Sequence, residues 1–329
     1  MVSVTFDLQY LLFLQDARIA LGGVLDEVFN GISKFAVVIM PLLPYLIYWA
    51  VDKKWGYRFL ATLWCGEVVN GIVKLSVCAY RPWIRSDAIE PAGDSKVAAT
   101  GYSFPSGHTM CATATYGTVF AWQRKKRKWL AVLCAVMILL TMFSRNFLGV
   151  HTPQDVLVGF AETALLIVLI GKIFSWMDGN EKRINIVSLA GILLVAATLV
   201  YITQKPYPMD YVDGQLLVDP QKMMNDTFKG CGGLLGLIIG SFIERRWIRY
   251  EIPAGRRELP VLAGVGLGII FAWNEYLAGA TVIPLLGKHW GGLAAGALAV
   301  IFGVAVYPAI IKAIIRKEET ETTEQAAEN

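Results

Sequence analysis

Charged residues are scarce in this chain. Asp, Glu, Lys and Arg make up 17% of its 329 residues, whereas 55% are hydrophobic, and the mean hydropathy is +0.51. An ordinary soluble domain carries about 25% charged residues on its water-facing surface. The composition therefore excludes a water-soluble protein and predicts an all-α, polytopic membrane helical bundle.

Cysteine is also scarce in this chain. The five cysteines are Cys65, Cys78, Cys111, Cys134 and Cys231. They are odd in number, lie in or beside apolar runs, and form no CxxC or Cys/His pair at metal-ligand spacing. The pattern argues against a disulfide framework and against a structural metal.

The N-terminus lacks the basic start and the small-residue cleavage pattern of a signal peptide, so none is expected. Residues 5–30 keep apolar side chains at helical spacing around Asp16, Arg18, Asp26 and Glu27. A helix with this charge distribution fits the membrane interface better than the membrane interior. We therefore predict one interfacial helix over 5–30.

Long apolar runs follow, each suited to cross ~30 Å of hydrocarbon with ~20 residues. They predict about nine transmembrane helices, over 33–51, 60–80, 106–123, 129–146, 154–173, 185–204, 228–244, 259–279 and 285–312. On this basis the chain divides into a membrane core with its interfacial helix at 1–180, additional transmembrane helices at 181–317, and an acidic, disordered tail at 318–329.

Basic residues, which give the chain a net charge of +4, cluster after alternate spans. The clusters fall at 53–58, 124–128, 182–183, 245–257 and 312–317. With nine spans all five lie on one side, which the positive-inside rule makes cytoplasmic. The sequence thus predicts a cytoplasmic C-terminus and an N-terminus outside. Topology explains the basic residues without a nucleic-acid partner.

Lys74 and Arg81 stand seven residues apart before Pro82, at the outer end of the second span. Seven residues are about two helical turns, so both side chains lie on nearly the same helix face. Snorkelling to lipid headgroups is the ordinary explanation of such cations. Lys74 lies well inside its span, however, where an unpaired charge is costly, and this depth favours an anion site.

The stretch FPSGHT, residues 104–109, begins the third span. Pro105 suits the first turn of a helix, and the amides of Ser106 and Gly107 would then be free donors for a phosphate. His108 adds a group that titrates near neutral pH. Taken alone, the stretch is explained equally well by a helix cap followed by an incidental histidine.

The stretch SRNFLGVHTPQD, residues 144–155, begins the fifth span. The sequence predicts Thr152 as the N-cap and Asp155 as the third helical residue. Asp155 can then reach the cap amides or the imidazole of His151. A capping box accounts for Thr152 and Asp155 but leaves Arg145 and His151 unexplained.

Two of the three histidines in the chain thus accompany three cations at outer helix ends. The cations Lys74, Arg81 and Arg145 repel a metal ion but suit a bound phosphate dianion. This residue set predicts phosphoryl transfer without a metal.

Together these residues resemble the three-part signature of the type 2 phosphatidic acid phosphatase superfamily, which comprises integral-membrane lipid phosphate phosphatases related to vanadium haloperoxidases. Every position of the signature is filled, in order. The joint occurrence of the three parts is far more specific for the superfamily than any one part alone. The positions are Lys74, Arg81, Pro82, Pro105, Ser106, Gly107, His108, Ser144, Arg145, His151 and Asp155.

The resemblance implies that His151 attacks phosphorus and forms a phosphohistidine while Asp155 orients its ring. It also implies that His108 protonates the leaving alkoxide and later deprotonates a water. No metal or other cofactor is expected. The phosphate oxygens would be held by Lys74, Arg81, Ser106, Gly107 and Arg145.

The substrates that the resemblance implies are lipid phosphates at the non-cytoplasmic interface: phosphatidic acid, phosphatidylglycerol phosphate, polyprenyl pyrophosphates or sphingoid-base phosphates. The charge pattern independently puts all three motifs on that side, and the compact chain favours a bacterial plasma membrane. Two alternatives stay open. One is a lipid phosphotransferase that uses the same site, and the other is a phospholipid transporter that keeps a phosphate-binding site.

The spans after residue 180 have no counterpart in the minimal core of the superfamily. Glycines recur there every fourth residue, which favours close helix packing within the chain or in a homodimer. These glycines are Gly232, Gly236, Gly240, Gly264 and Gly268. Four polar residues could line a polar path, and the sequence leaves their role open: Glu67, Asn70, Asn274 and Glu275.

Overall fold

The computed structural model describes residues 5–93, 95–99, 101–212, 214–253, 255 and 257–328, and helices dominate these residues. The long helices, numbered in chain order, are α1 (Phe6–Ala20), α2 (Asp26–Ala50), α3 (Lys53–Val77), α4 (Gly107–Gln123), α5 (Lys128–Phe147), α6 (Pro153–Met177), α7 (Glu181–Gln204), α8 (Pro220–Ile248), α9 (Leu259–Ala280) and α10 (Val282–Lys317). The predicted all-α class is confirmed.

Smaller elements connect or interrupt these helices. Short helices at Pro82–Arg85 and Ser95–Ala98 follow α3, and a hairpin of β1 (Tyr211–Val212) and β2 (Gln215–Leu216) joins α7 to α8. Single π turns interrupt α2, α9 and α10, at Phe35–Ile39, Trp273–Leu277 and Phe302–Val306 respectively, and another at Glu244–Ile248 ends α8.

Eight helices in the described part of the chain, α2, α3 and α5 to α10, are long and apolar enough to cross a membrane. The remaining predicted span corresponds to α4, which has 17 residues and is therefore about 26 Å long. It packs against α3, α5 and α6, and most of its side chains are buried. Protein therefore surrounds most of α4.

Large apolar side chains cover the outward faces of the bundle. Leu139 on α5, Leu165 on α6 and Leu193 on α7 are 63%, 58% and 59% exposed. In water, an apolar surface of this extent would be unfavourable. The outward faces therefore fit a lipid environment.

Residues 5–30 do not form one interfacial helix, and this part of the prediction is wrong. Gly22 and Gly23 adopt positive φ values of 64° and 71° between α1 and α2. Glycine reaches this conformation without a Cβ clash, so the pair turns the chain. The interfacial prediction therefore applies to α1 alone, and Asp26 begins the first span.

The C-terminal helices, α7 to α10, pack against the N-terminal bundle of α1 to α6, most extensively through α8. A Cβ added at Gly232 would lie 1.9 Å from the Leu293 carbonyl oxygen on α10, so the two backbones touch there. On its other side α8 meets α3, where a Cβ on Gly71 would lie 2.5 Å from Thr227 Oγ1. The predicted packing role of the α8 glycines is confirmed.

The two glycines of α9 behave differently. Nothing lies within 4 Å of a Cβ added at Gly264 or Gly268, so neither serves close packing within the described chain. The four-residue repeat is the same as in α8. Only the α8 repeat faces a neighbouring helix.

Helical structure continues from α10 through Glu328, where a disordered tail was predicted. Glu, Gln and Ala make up most of EETETTEQAAE and favour helix, so they extend a helix that α10 has already nucleated. The last residue of the predicted tail, Asn329, lies outside the described residues.

Candidate active site

His151 stands in the short connection between α5 and α6. Its backbone N–H and that of Val150 both donate to the Arg145 carbonyl at 3.2 Å, and Asn146 Nδ2 donates to the His151 carbonyl at 2.9 Å. These bonds fold the connection back onto the end of α5. His151 is 2% exposed, so protein contacts hold its ring.

A capping box at the start of α6 holds Asp155. Thr152 is the N-cap, as predicted, and its backbone N–H donates to Asp155 Oδ2 at 2.8 Å. The same oxygen accepts a hydrogen bond from Ser103 Oγ at 2.5 Å and lies 3.3 Å from His151 Nδ1. Because an ionised carboxylate only accepts hydrogen bonds, this contact assigns the imidazole proton to Nδ1. Nε2 of His151 then carries the lone pair.

Arg81 lies on the Nε2 side of His151. Its Nη1 is 2.9 Å from Nε2 and donates to the Val150 carbonyl at 2.9 Å, while its Nε donates to the Gly101 carbonyl at 3.1 Å. Burial, and then the Arg81 charge, hold the pKa of His151 well below its usual value. His151 is therefore a neutral imidazole near neutral pH, with Nε2 facing a cation.

The FPSGHT stretch is a helix start, although the helix begins later than predicted. Ser106 is the N-cap and Gly107 the first residue of α4, so Pro105 lies outside the helix. The Ser106 amide donates to the Asp155 carbonyl at 2.9 Å, which takes it out of the predicted phosphate cradle. The Gly107 amide has no carbonyl one turn earlier in the helix to bond.

The Ser106 side chain caps α4 instead. Its Oγ accepts hydrogen bonds from Thr109 N at 3.3 Å and from Thr109 Oγ1 at 3.2 Å. A hydroxyl has one hydrogen of its own to donate in addition to these acceptor contacts. Ser106 can therefore contribute its hydroxyl, rather than its amide, to a bound anion.

Lys74 lies in the last turn of α3. Its Nζ donates to the carbonyl of Pro105 and, at 3.4 Å, to that of Tyr102. Backbone carbonyl dipoles of the loop before α4 thus compensate the charge of Lys74. Lipid headgroups, which would do so if the side chain snorkelled, are not needed. The contacts also tie α3 to the start of α4.

Arg145 is buried at the end of α5. It is 3% exposed, and its Nη1 donates to Ser33 Oγ on α2 at 2.8 Å. Its Nε is buried and has no hydrogen-bond partner among the described residues. An unused donor on a buried cation is costly, and an anion would satisfy it.

A cavity of about 380 Å³ lies beside the first turn of α4. Lys74, Gly107 and His108 line it. The four polar residues whose role the sequence left open also line this cavity. They are Glu67, Asn70, Asn274 and Glu275.

The predicted site residues therefore form two linked groups. Arg81, His151 and Asp155 make one bonded chain, and the Lys74, Gly107 and His108 group faces the cavity. The hydrogen bond from Ser106 N to the Asp155 carbonyl joins the groups, and the Arg145 carbonyl holds the His151 backbone. All eight residues lie at one end of the N-terminal bundle.

Sequence reasoning missed three partners that hold these residues. Ser103 donates to Asp155, Ser33 accepts from Arg145, and Asn146 donates to the His151 carbonyl. Asn146 lies inside the third motif, so its position was a usable signal. Nothing in the sequence distinguishes Ser33 or Ser103 from other serines.

The sequence profile of the PAP2 superfamily matches residues 55–179, which include every signature position from Lys74 to Asp155. Phosphatidylglycerophosphatase B of Bacillus subtilis is 30% identical over 156 residues, which are 44% of this chain and 73% of that protein. The chain belongs to the PAP2 superfamily.

Two further relatives are also named phosphatases. Human sphingosine-1-phosphate phosphatase 2 is 29% identical over 238 residues, or 70% of this chain and 54% of that protein. The undecaprenyl-diphosphatase of Sulfolobus acidocaldarius is 25% identical over 123 residues, or 37% of this chain and 57% of that protein. No solved structure matches this chain.

This PAP2 protein is therefore a phosphatase of the lipid phosphate type and an integral membrane protein. The relatives act, by their names, on different lipids. The superfamily match therefore leaves the lipid unassigned.

Proposed function

We propose that this PAP2 protein hydrolyses a phosphomonoester or diphosphate of a membrane lipid through a phosphohistidine on His151. The arrangement around that ring carries the proposal. Asp155 Oδ2 lies 3.3 Å behind Nδ1, and the Arg81 guanidinium lies 2.9 Å in front of Nε2. This places a nucleophilic lone pair where a phosphate bound to Arg81 would sit.

In the first step His151 Nε2 forms a bond to phosphorus while the bond from phosphorus to the leaving oxygen breaks. Protonated His108 gives its proton to that oxygen, so the lipid leaves as a neutral alcohol or, from a diphosphate, as a phosphate. Asp155 stabilises the positive charge that develops on the His151 ring.

In the second step a water attacks the phosphohistidine and the bond between phosphorus and Nε2 breaks. His108 takes a proton from the water, and His151 regains its lone pair. Inorganic phosphate is released, and both histidines return to their starting states. The cycle uses no redox step.

Cations and helix-terminal donors hold the phosphate oxygens through both steps. Arg81 already contacts His151, the buried Nε of Arg145 has an unused donor, and Lys74 lines the cavity at the start of α4. The Gly107 amide and the Ser106 hydroxyl complete the set. Fixed donors of this kind stabilise the charge of the transition state without reorganising.

We also propose that the site faces the non-cytoplasmic side of a plasma membrane. The five basic clusters at 53–58, 124–128, 182–183, 245–257 and 312–317 support this orientation through the positive-inside rule. The C-terminus is then cytoplasmic. The substrate phosphate is reached from the outer leaflet.

Replacement of His151 tests the proposed reaction. The His151→Ala variant has no nucleophile, so phosphate release from a panel of lipid monophosphates and diphosphates should fall by at least ~10³-fold. Phosphate release would be measured with the purified, detergent-solubilised full-length protein, and the reaction products would be separated to distinguish hydrolysis from transfer.

His289 supplies the matched control, because its ring packs on Phe228 at 4.9 Å and does not line the cavity. His289→Ala should retain wild-type activity. Full activity of the His151→Ala variant would overturn the mechanism. Phospholipid movement that persists in that variant without any phosphatase activity in the wild type would favour a transporter.

A further inference from the structure

The cavity beside α4 lies on the leaving-group side of the proposed reaction. His108 lines it, whereas His151 is not among its lining residues. Under the proposed mechanism His108 protonates the leaving oxygen. The alcohol that departs must therefore be bound on the His108 side, which is the side of this cavity.

The C-terminal helices build one wall of this cavity. Asp226 and Lys229 on α8 and Asn274 and Glu275 on α9 line it, together with residues of the N-terminal bundle. All four lie beyond the 55–179 match to the superfamily. The additional spans thus contribute directly to the cavity next to the proton donor.

A polar face of α3 forms a second wall. Glu67, Asn70 and Lys74 are spaced at i, i+3 and i+7, so they share one helix face, and all three line the cavity. Lys74 lies at the phosphate end of this face. Asn70 is the polar residue next to it, about 6 Å away along the helix axis.

Asn70 presents an acceptor oxygen to the cavity. The residue is 4% exposed, and its Nδ2 donates to Glu162 Oε1 at 2.7 Å. That bond orients the amide, and Oδ1 lies 3.8 Å from the position of a Cβ added at Gly107. No described residue donates a hydrogen bond to Oδ1, and Oδ1 is not among the fully buried atoms that lack a partner, so it is open to the cavity. A donor bound in the cavity can therefore reach it.

The carboxylates of the cavity wall are also acceptors without a fixed partner. In the described chain, no ion pair within 4 Å involves Glu67, Asp226 or Glu275. Lys229 is the cation on this part of the wall, and Lys74 already bonds the loop before α4. Among its charged groups, the cavity wall therefore carries three carboxylates and two lysines.

We propose that the cavity is the leaving-group pocket and that Asn70, Glu67 and Asp226 select a leaving alcohol with a hydrogen-bond donor beside the ester oxygen. The donor is a hydroxyl or an ammonium group, since both complement acceptor oxygens. The proposal rests on the proposed function, because it takes His108 as the proton donor. It makes the C-terminal helices part of the specificity of the enzyme.

Three phosphate monoesters of one chain length test this selection. They are a plain alkyl phosphate, the same ester with a hydroxyl on the carbon next to the ester carbon, and the same ester with an amine there. For the full-length protein in detergent, kcat/KM should be at least about 10-fold higher for one or both donor-bearing esters, because a site built for a donor disfavours a substrate without it.

Substitutions in the wall separate the two donors. Asn70→Leu removes the neutral acceptor and should bring the ratio of donor-bearing to plain ester towards one. Asp226→Asn keeps an acceptor but removes the charge, so it should lower the ratio for the amine and spare that for the hydroxyl. Glu251→Gln, in an exposed loop, is the control and should leave all ratios as in the wild type.

Two results would overturn the proposal. One is a wild-type enzyme with equal kcat/KM for the three esters. The other is a set of wall variants that slow all three esters by one common factor, which indicates a purely structural role. Failure of the proposed function gives a different result, because His151→Ala would then continue to hydrolyse the plain ester.

Discussion

At the scale of single residues, the proposed site contains a neutral histidine held between an acceptor and a cation. Asp155 lies next to Nδ1 of His151, which carries the proton, and Arg81 lies next to Nε2, which carries the lone pair. A protonated imidazole would place a second positive charge next to Arg81 in a buried position. The neutral form, which is the nucleophilic form, is therefore favoured.

This arrangement predicts the acidic limit of activity. Because burial and Arg81 lower the pKa of His151, the neutral form persists as pH falls through 6.5, the usual histidine value. The acidic limb of kcat/KM assigned to this group should therefore lie below pH 6.5. A pH–rate profile of the wild type measures it.

The Arg81→Gln variant provides the comparison. Loss of the guanidinium removes a cation beside Nε2, so the pKa of His151 should rise and the acidic limb should move to higher pH. The overall rate should also fall, since Arg81 is a proposed phosphate ligand. An unchanged midpoint in the variant would show that Arg81 does not set the ionisation of His151.

At the scale of elements, helix ends meet to form the site. The start of α6 holds Asp155, the start of α4 holds Gly107, and a hydrogen bond from Ser106 N to the Asp155 carbonyl joins them. Gly159 permits this contact, because a Cβ there would lie 2.8 Å from the Ser106 carbonyl oxygen. The two helix starts can approach only where α6 has no side chain.

The Gly159→Ala variant tests this close approach. Its methyl group meets backbone, which cannot rotate away, so the start of α4 should shift and the fold should lose about 1–3 kcal/mol. We expect a lower melting temperature and at least ~10-fold lower kcat. Thermal unfolding in detergent and phosphate release measure the two effects.

Gly171→Ala is the matched control on the same helix. Nothing lies within 4 Å of a Cβ at Gly171, so the substitution adds a methyl group in open space and improves helix propensity. Its melting temperature and activity should be at least those of the wild type. Equal losses in both variants would show that the contact with Ser106 does not matter.

At the scale of the whole molecule, the C-terminal helices are integrated with the bundle that carries the motifs. Gly71 on α3 accommodates Thr227 of α8, and Gly232 on α8 accommodates the backbone of α10. Contacts with α3 on one side and with α10 on the other therefore fix the position of α8. This packing is what brings Asp226 and Lys229 to the cavity beside His108.

The proposed orientation of the molecule is tested with single cysteines. Gln215→Cys lies in the hairpin between α7 and α8, and Lys126→Cys lies in the turn between α4 and α5; both positions are exposed. A membrane-impermeant maleimide should label Gln215→Cys in intact cells and Lys126→Cys only after permeabilisation. The wild type gives the background, since the native cysteines are buried or half-buried. The reverse labelling pattern would place the site on the cytoplasmic side.

The sequence by itself determined the helical class, most helix positions and the residues of the three motifs. Hydropathy and capping are local properties, and the reaction type follows from the side chains that must be present. Local patterns did not predict the turn at Gly22 and Gly23, which divides the expected interfacial helix. They also did not predict that the Ser106 amide bonds the Asp155 carbonyl and so is not available to a phosphate.

Only the tertiary structure decided which side chains complete the site. Ser33 reaches Arg145 across 112 positions of sequence, and Asp226 shares a cavity with Glu67. Contacts between distant segments depend on how helices pack, and no periodicity or motif spacing encodes them. The same holds for the glycine repeats of α8 and α9, which are alike in sequence but differ because only the α8 glycines face a neighbouring helix.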